Sequence, residues 1–170
     1  VVLFYPAFAL VVAGVGVAAG LTASPLDVIS TDRLLDPAGL VGLFGFALLF
    51  PLVEEVGLRG YWLDRLQTAW RPLVSSLVVG VAWAAWHVPL LFMEGYYSTT
   101  TFQPDPVPFL GSIVVGSVLL TWVYNNTNRS VLAAVAFHVF GNLTGEVVGL
   151  APDLSLASFL GTAAVALVVA

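Results

Sequence analysis

Cysteine is absent from the 170 residues, which excludes disulfides, thiolate metal sites and cysteine nucleophiles. Lysine is absent too, so the cations are Arg33, Arg59, Arg65, Arg71 and Arg129 alone. Charged residues make up only 9% of the chain, against about a quarter in a soluble domain. So few charges cannot cover a water-facing surface. The net charge of −5 is spread over short segments with no basic block, so nucleic acid is not an expected partner. Histidine occurs only at His87 and His138. No serine sits in a Gly-x-Ser-x-Gly elbow, and no His-Glu-x-x-His pair marks a zinc protease.

What fills the chain is apolar, at 59% of residues. A helical span needs about 20 such residues, and the runs Val1–Ala23, Ala38–Val53, Leu73–Phe92, Pro108–Tyr124, Val131–Leu150 and Leu156–Ala170 are read as spans. Between the second and third, Trp62, Leu63, Leu66 and Trp70 recur at helical spacing among Arg59, Asp64, Arg65 and Arg71. Residues Gly57–Pro72 therefore read as an amphipathic helix at the membrane surface, with Tyr61, Trp62 and Trp70 in the interfacial belt. The expected fold is an all-α polytopic transmembrane bundle of about six spans plus that interfacial helix, in one domain over residues 1–170. The chain begins on Val1 and ends within an apolar run, so a trimmed piece of a longer protein is expected.

Arginine placement sets the expected orientation. Arg59, Arg65, Arg71 and Arg129 fall in the second and fourth connections, which alternation puts on one side, and Arg33 falls on the other. By the positive-inside rule the four are cytoplasmic, as is the N-terminus. The expected location is a prokaryotic plasma membrane.

The polar groups inside the apolar runs carry the chemistry, because a carboxylate or imidazole in hydrocarbon must be paired or face a cavity. Glu54 and Glu55 close the second run. Glu55 and Arg59 lie four apart, on one helical face, and read as an ion pair that leaves Glu54 to face another group. Trp83 and His87 share a face in the third run, and His138, Asn142 and Glu146 form a stripe in the fifth. Their depths do not coincide in a simple ladder. His138 lies roughly 12 Å and His87 roughly 21 Å from the arginine-side ends of their spans, so a deeper Glu pair or tilted helices are required. A carboxylate beside an imidazole can activate water, and an imidazole with a carboxamide can donate to an oxyanion. The set suffices for amide hydrolysis without a covalent intermediate. Two histidines and the glutamates leave zinc or another divalent metal open by count.

Three motifs in order resemble the CAAX-processing and bacteriocin-processing (CPBP) intramembrane proteases, the family of the Ras-converting prenyl-protein endopeptidases. They are Glu54-Glu55-x-x-x-Arg59, Trp83-x-x-x-His87 (with Trp where the family has Phe) and His138-x-x-x-Asn142. Ser130 and Pro89 also fit the usual surroundings, and the likeness covers about Phe46 to Gly149. The resemblance implies that Glu54, with His87, activates the attacking water, and that His138 and Asn142 stabilise the oxyanion. It gives Glu55, Arg59 and Trp83 supporting roles, and Glu146 none. It implies a metal-free glutamate endopeptidase in a cavity open to the cytoplasm. The substrate would be a membrane-associated peptide or protein, with prenylation of a CAAX-type end left open. Two other readings stand beside it: a non-enzymatic membrane protein of the same fold, such as a bacteriocin-immunity or scaffold protein, and a proton-coupled transporter using the His/Glu stripe.

Overall fold

The computed structural model describes residues 2–28, 35–93 and 105–170. Arg33 and the 94–104 part of the third connection fall outside them. Among the described residues six helices carry the fold: α1 (Phe4–Ala18), α2 (Pro37–Leu66), α3 (Pro72–His87), α4 (Pro106–Asn126), α5 (Val131–Val147) and α6 (Ser155–Val169). Four stretches, Pro37–Leu66, Pro72–Phe92, Pro106–Asn126 and Pro152–Val169, are long and apolar enough to cross a membrane; α1 and α5 are shorter apolar helices.

Local chemistry sets the boundaries. A proline pre-set for the first helical turn opens α2, α3 and α4. Asp36 caps α2 through the Gly39 amide at 2.9 Å, Asp105 caps α4, and Ser130 caps α5 through the Ala133 amide at 3.2 Å. Asn128 and Arg129 take left-handed backbone angles, which reverses the chain in the few residues between α4 and α5.

The second span runs further than its apolar stretch. Residues 57–66 do not form a separate surface helix; they continue α2 to Leu66. No proline lies between Pro51 and Leu66, and two wide π turns, Gly45–Leu49 and Leu58–Leu63, keep the helix continuous. Arg59, expected in a wet connection, is instead fully buried within the bundle. The fifth span is shorter than expected. α5 stops at Val147, and Val148–Leu150 leaves the helix to pair antiparallel with Leu26–Val28, in the register Leu26↔Leu150 and Val28↔Val148. This ribbon ties the end of α5 to the chain leaving α1.

The bundle is apolar outside and polar in patches inside, the inverse of a soluble domain. Leu167 and Val168 of α6 are more than four-fifths exposed, as is fitting for a surface that meets hydrocarbon. The core joins Trp83 and Ala84 of α3, Ile113, Leu119 and Leu120 of α4, Phe137 of α5 and Ala166 of α6. Small residues let the backbones meet: a Cβ at Gly80 of α3 would lie 2.9 Å from the Val114 carbonyl oxygen and the Ser117 Cβ of α4.

Candidate active site

Glu54 and Glu55 sit in the α-helical turn between the two π segments of α2. Because α2 reaches Leu66, Glu54 lies 12 residues from that end, roughly 18 Å along the axis. This is the deeper Glu pair that the histidine depths require.

Glu55 is the buried hub. Its Oε1 accepts from Arg59 Nη1 at 3.0 Å and from His138 Nδ1 at 2.9 Å. Glu55 and Arg59 are both fully inaccessible. Arg59 Nη2 donates to Ser117 Oγ at 3.0 Å, and the Ser117 hydroxyl in turn donates to the Ser76 carbonyl at 2.9 Å. One chain of hydrogen bonds thus links α5, α2, α4 and α3. Charges so deep persist only when paired and hydrogen-bonded in this way.

Trp83 packs against three of these groups. Its ring meets His138 edge-on at 5.1 Å, His87 at 5.8 Å and the Arg59 guanidinium at 5.0 Å. A flat aromatic face beside a guanidinium adds cation–π attraction and holds both imidazoles in place.

The histidine partners fix their protons. A carbonyl only accepts, so the 2.9 Å contact of His87 Nδ1 with the Trp83 carbonyl places the proton on Nδ1 and leaves Nε2 as an acceptor in the neutral ring. His138 Nδ1 likewise donates to the Glu55 carboxylate. Its Nε2 lies 3.9 Å from Glu54 Oε2, close enough for a single water to touch both.

Asn142 is anchored by a defect in α2. In the first π turn the Phe50 amide bonds back to Gly45. In that register the partner of the Phe46 carbonyl would be Pro51, which has no N–H. The orphaned carbonyl accepts instead from Asn142 Nδ2 at 3.1 Å. Asn142 keeps its second N–H and its Oδ1 for the cavity.

That cavity, of about 210 Å³, is lined by Glu54, His87, His138, Asn142 and Glu146, with Phe46, Phe50, Phe109, Gly141 and Gly145. The structure therefore brings together Glu54, His87, His138 and Asn142, and sets Glu55, Arg59 and Trp83 directly behind them. No hydrogen bond or ion pair joins Glu54 to His87 among the described residues; the histidine that approaches Glu54 is His138. No group of three or more His, Asp or Glu side chains among the described residues is placed to hold a metal ion.

Sequence reasoning missed Ser117, Ser76 and the Phe46 carbonyl. A serine in the middle of an apolar 21-residue helix was the available signal for Ser117. The Phe46 carbonyl carries no side-chain signal beyond the Pro51 that orphans it.

A helical membrane bundle that buries a carboxylate–imidazole–carboxamide cavity is the class defined by this fold and site. Comparison with known proteins agrees. The model of the type II CAAX prenyl endopeptidase Rce1-like family matches residues 36–144, and the chain belongs to that family. The protein named CAAX prenyl protease 2 of Methanococcus maripaludis is 31% identical over 112 residues, covering 64% of this chain. The aligned part is 41% of that relative's length. The motifs at Glu54, His87, His138 and Asn142 all lie within the matched residues, and the protein is an integral membrane protein.

Proposed function

We propose that this protein is an intramembrane endopeptidase that hydrolyses a peptide bond of a membrane-associated polypeptide. The observation that carries the reading is the convergence of Glu54, His87, His138 and Asn142, from three helices, on one cavity inside an apolar bundle. Family membership supports the same class of activity.

In the proposed mechanism, water binds at Glu54. The carboxylate takes one of its protons as the oxygen attacks the scissile carbonyl carbon. His87, whose Nε2 faces the cavity with a lone pair, accepts a hydrogen bond from the same water and orients it. The carbonyl oxygen becomes an oxyanion, which accepts from the free N–H of Asn142 and from the His138 ring at Nε2–H. The proton on Glu54 then passes to the leaving amine, the C–N bond breaks, and the carboxylate is restored. Glu55 holds His138 through Nδ1, and Arg59 offsets the charge of Glu55, so the ring is aimed before substrate arrives.

No metal takes part in this mechanism. Cleavage of a pool of membrane-anchored peptides, prenylated and unprenylated, with and without a chelator, tests it. Cleavage that survives the chelator is the expected result, and the peptides that disappear define the substrate. Loss of cleavage with the chelator would move the same residues to a metal mechanism. A folded protein that cleaves nothing in the pool would favour a binding role for the cavity.

A further inference from the structure

The indole of Trp83 carries a donor that the mechanism above does not use. Trp83 stands on the inward face of α3, in line with Ser76, Gly80 and His87 at helical spacing. The missing side chain at Gly80 lets α3 lie against the α4 backbone, and one turn further on the indole enters the centre of the bundle. Of the five tryptophans it is the buried one, 8% exposed; Trp62, Trp70, Trp86 and Trp122 are half-buried or exposed. Its ring packs on His87, His138 and Arg59. Its N–H does not share in that packing: Nε1 is enclosed and has no hydrogen-bond partner. An indole nitrogen can only donate, and a donor left unpaired in the interior is costly.

Two carboxylates lie near it. Glu55 is fully enclosed and fixed through Oε1 by both Arg59 and His138. Glu54 is a fifth exposed at the cavity floor, with room to turn about its side-chain bonds. Glu54 is also the carboxylate that the indole faces as a donor. The packing agrees: Glu54 Oε2 is 3.9 Å from His138 Nε2, and the His138 ring is 5.1 Å from the indole.

We infer that in the working protein the Trp83 indole N–H holds one oxygen of the Glu54 carboxylate, which makes Trp83 a positioning residue for the general base. A small turn of Glu54 closes the bond. The oxygen held by the indole is then fixed, and the other is left facing the water beside His138. Phenylalanine, the residue the family motif has at this place, offers the ring without the donor. Tryptophan therefore adds a contact to the motif that packing alone does not supply. The catalytic half of this inference rests on the proteolytic reading above; the bond itself does not.

The bond is read without substrate. The full chain, labelled with ¹⁵N at its indole nitrogens, is observed by magnetic resonance in detergent micelles. The Trp83 signal is assigned by its loss in Trp83→Phe. Should that variant fail to fold, magnetisation transfer to the histidine rings, 5.1 and 5.8 Å away, assigns it instead. Glu54→Gln replaces a charged acceptor with a neutral one, so it should move the Trp83 signal upfield and leave the other four in place. A Trp83 signal that ignores Glu54→Gln, or that follows Glu55→Gln more strongly, would overturn the inference. The positioning role is read from turnover of a membrane-anchored peptide. Trp83→Phe should lower kcat about 10-fold, the effect of one lost hydrogen bond to a charged group, with KM little changed. In the Glu54→Gln background it should lower the residual rate no further, because the charged acceptor is already gone. An unchanged kcat, or an equal loss in both backgrounds, would leave Trp83 a packing residue and overturn the positioning role. Cleavage by none of the proteins, the parent included, with the Trp83 signal following Glu54, counts against the proteolytic reading and leaves the bond standing.

Discussion

Replacing Arg59 by methionine should be among the most damaging single changes in this protein, and the structure says why. The guanidinium supplies one donor to Glu55 at 3.0 Å and one to Ser117 at 3.0 Å, and it sits over the Trp83 ring at 5.0 Å. Methionine fills much of the volume but leaves Glu55, fully buried, with His138 alone. Removing one partner of a buried ion pair costs about 3–5 kcal/mol, because the other charge remains where water cannot reach it. Ser117 adds little to the loss, since its hydroxyl still donates to the Ser76 carbonyl. Removing both charges should therefore hurt less than removing one. Glu55→Gln combined with Arg59→Met should be more stable than Arg59→Met alone, with a coupling of about 1–3 kcal/mol. The assay is unfolding in mixed detergent micelles, followed by loss of helical circular dichroism, for the two single variants, the double variant and the parent. A loss below about 1 kcal/mol for Arg59→Met, the range of exposed pairs, would refute the reasoning. So would a double variant whose loss equals the sum of the two singles.

Other outcomes follow from the same geometry. Asn142→Ala removes the donor to the Phe46 carbonyl and should cost about 1–3 kcal/mol; Pro51→Ala, which restores an N–H opposite that carbonyl, should recover part of the loss in the same micelle titration. Gly80→Val places side-chain atoms against the Val114 backbone and Ser117 of α4; the helices must part, and a loss of about 1–3 kcal/mol is expected. Asp64→Asn breaks a pair whose side chains are about half exposed, so stability should change by less than about 1 kcal/mol, as read from the thermal midpoint.

Much of this molecule is legible in its sequence, because hydrocarbon leaves few solutions. The apolar runs give the helices, and each interruption by a titratable residue marks a site with a cost that must be met. Glu55 and Arg59 pair as their spacing requires, and both histidines reach the cavity. The sequence is silent wherever a choice depends on backbone detail. The length of α2 was hidden because Arg59, Asp64 and Arg65 give residues 57–66 the look of a surface segment, whereas Arg59 is turned inward onto Glu55. The sharing of Glu55 between Arg59 and His138 depends on how α2 and α5 rotate, which no spacing within either helix fixes. The π turn that frees the Phe46 carbonyl, and so anchors Asn142, is signalled only by Pro51. The three-residue ribbon at Val148–Leu150 has nothing in its composition to separate it from the helix before it.

The most direct test of the account is hydrolysis of a membrane-anchored peptide by wild type and by Glu54→Gln, both shown to be folded by the same micelle titration. Glu54 sits at the cavity floor and is outside the Glu55–Arg59 pair, so the variant should fold like the parent. Its turnover should fall by about 10²- to 10⁴-fold, the contribution of a general base. Equal turnover by both proteins would contradict the account, since Glu54 is the carboxylate that approaches His138 Nε2 in the cavity.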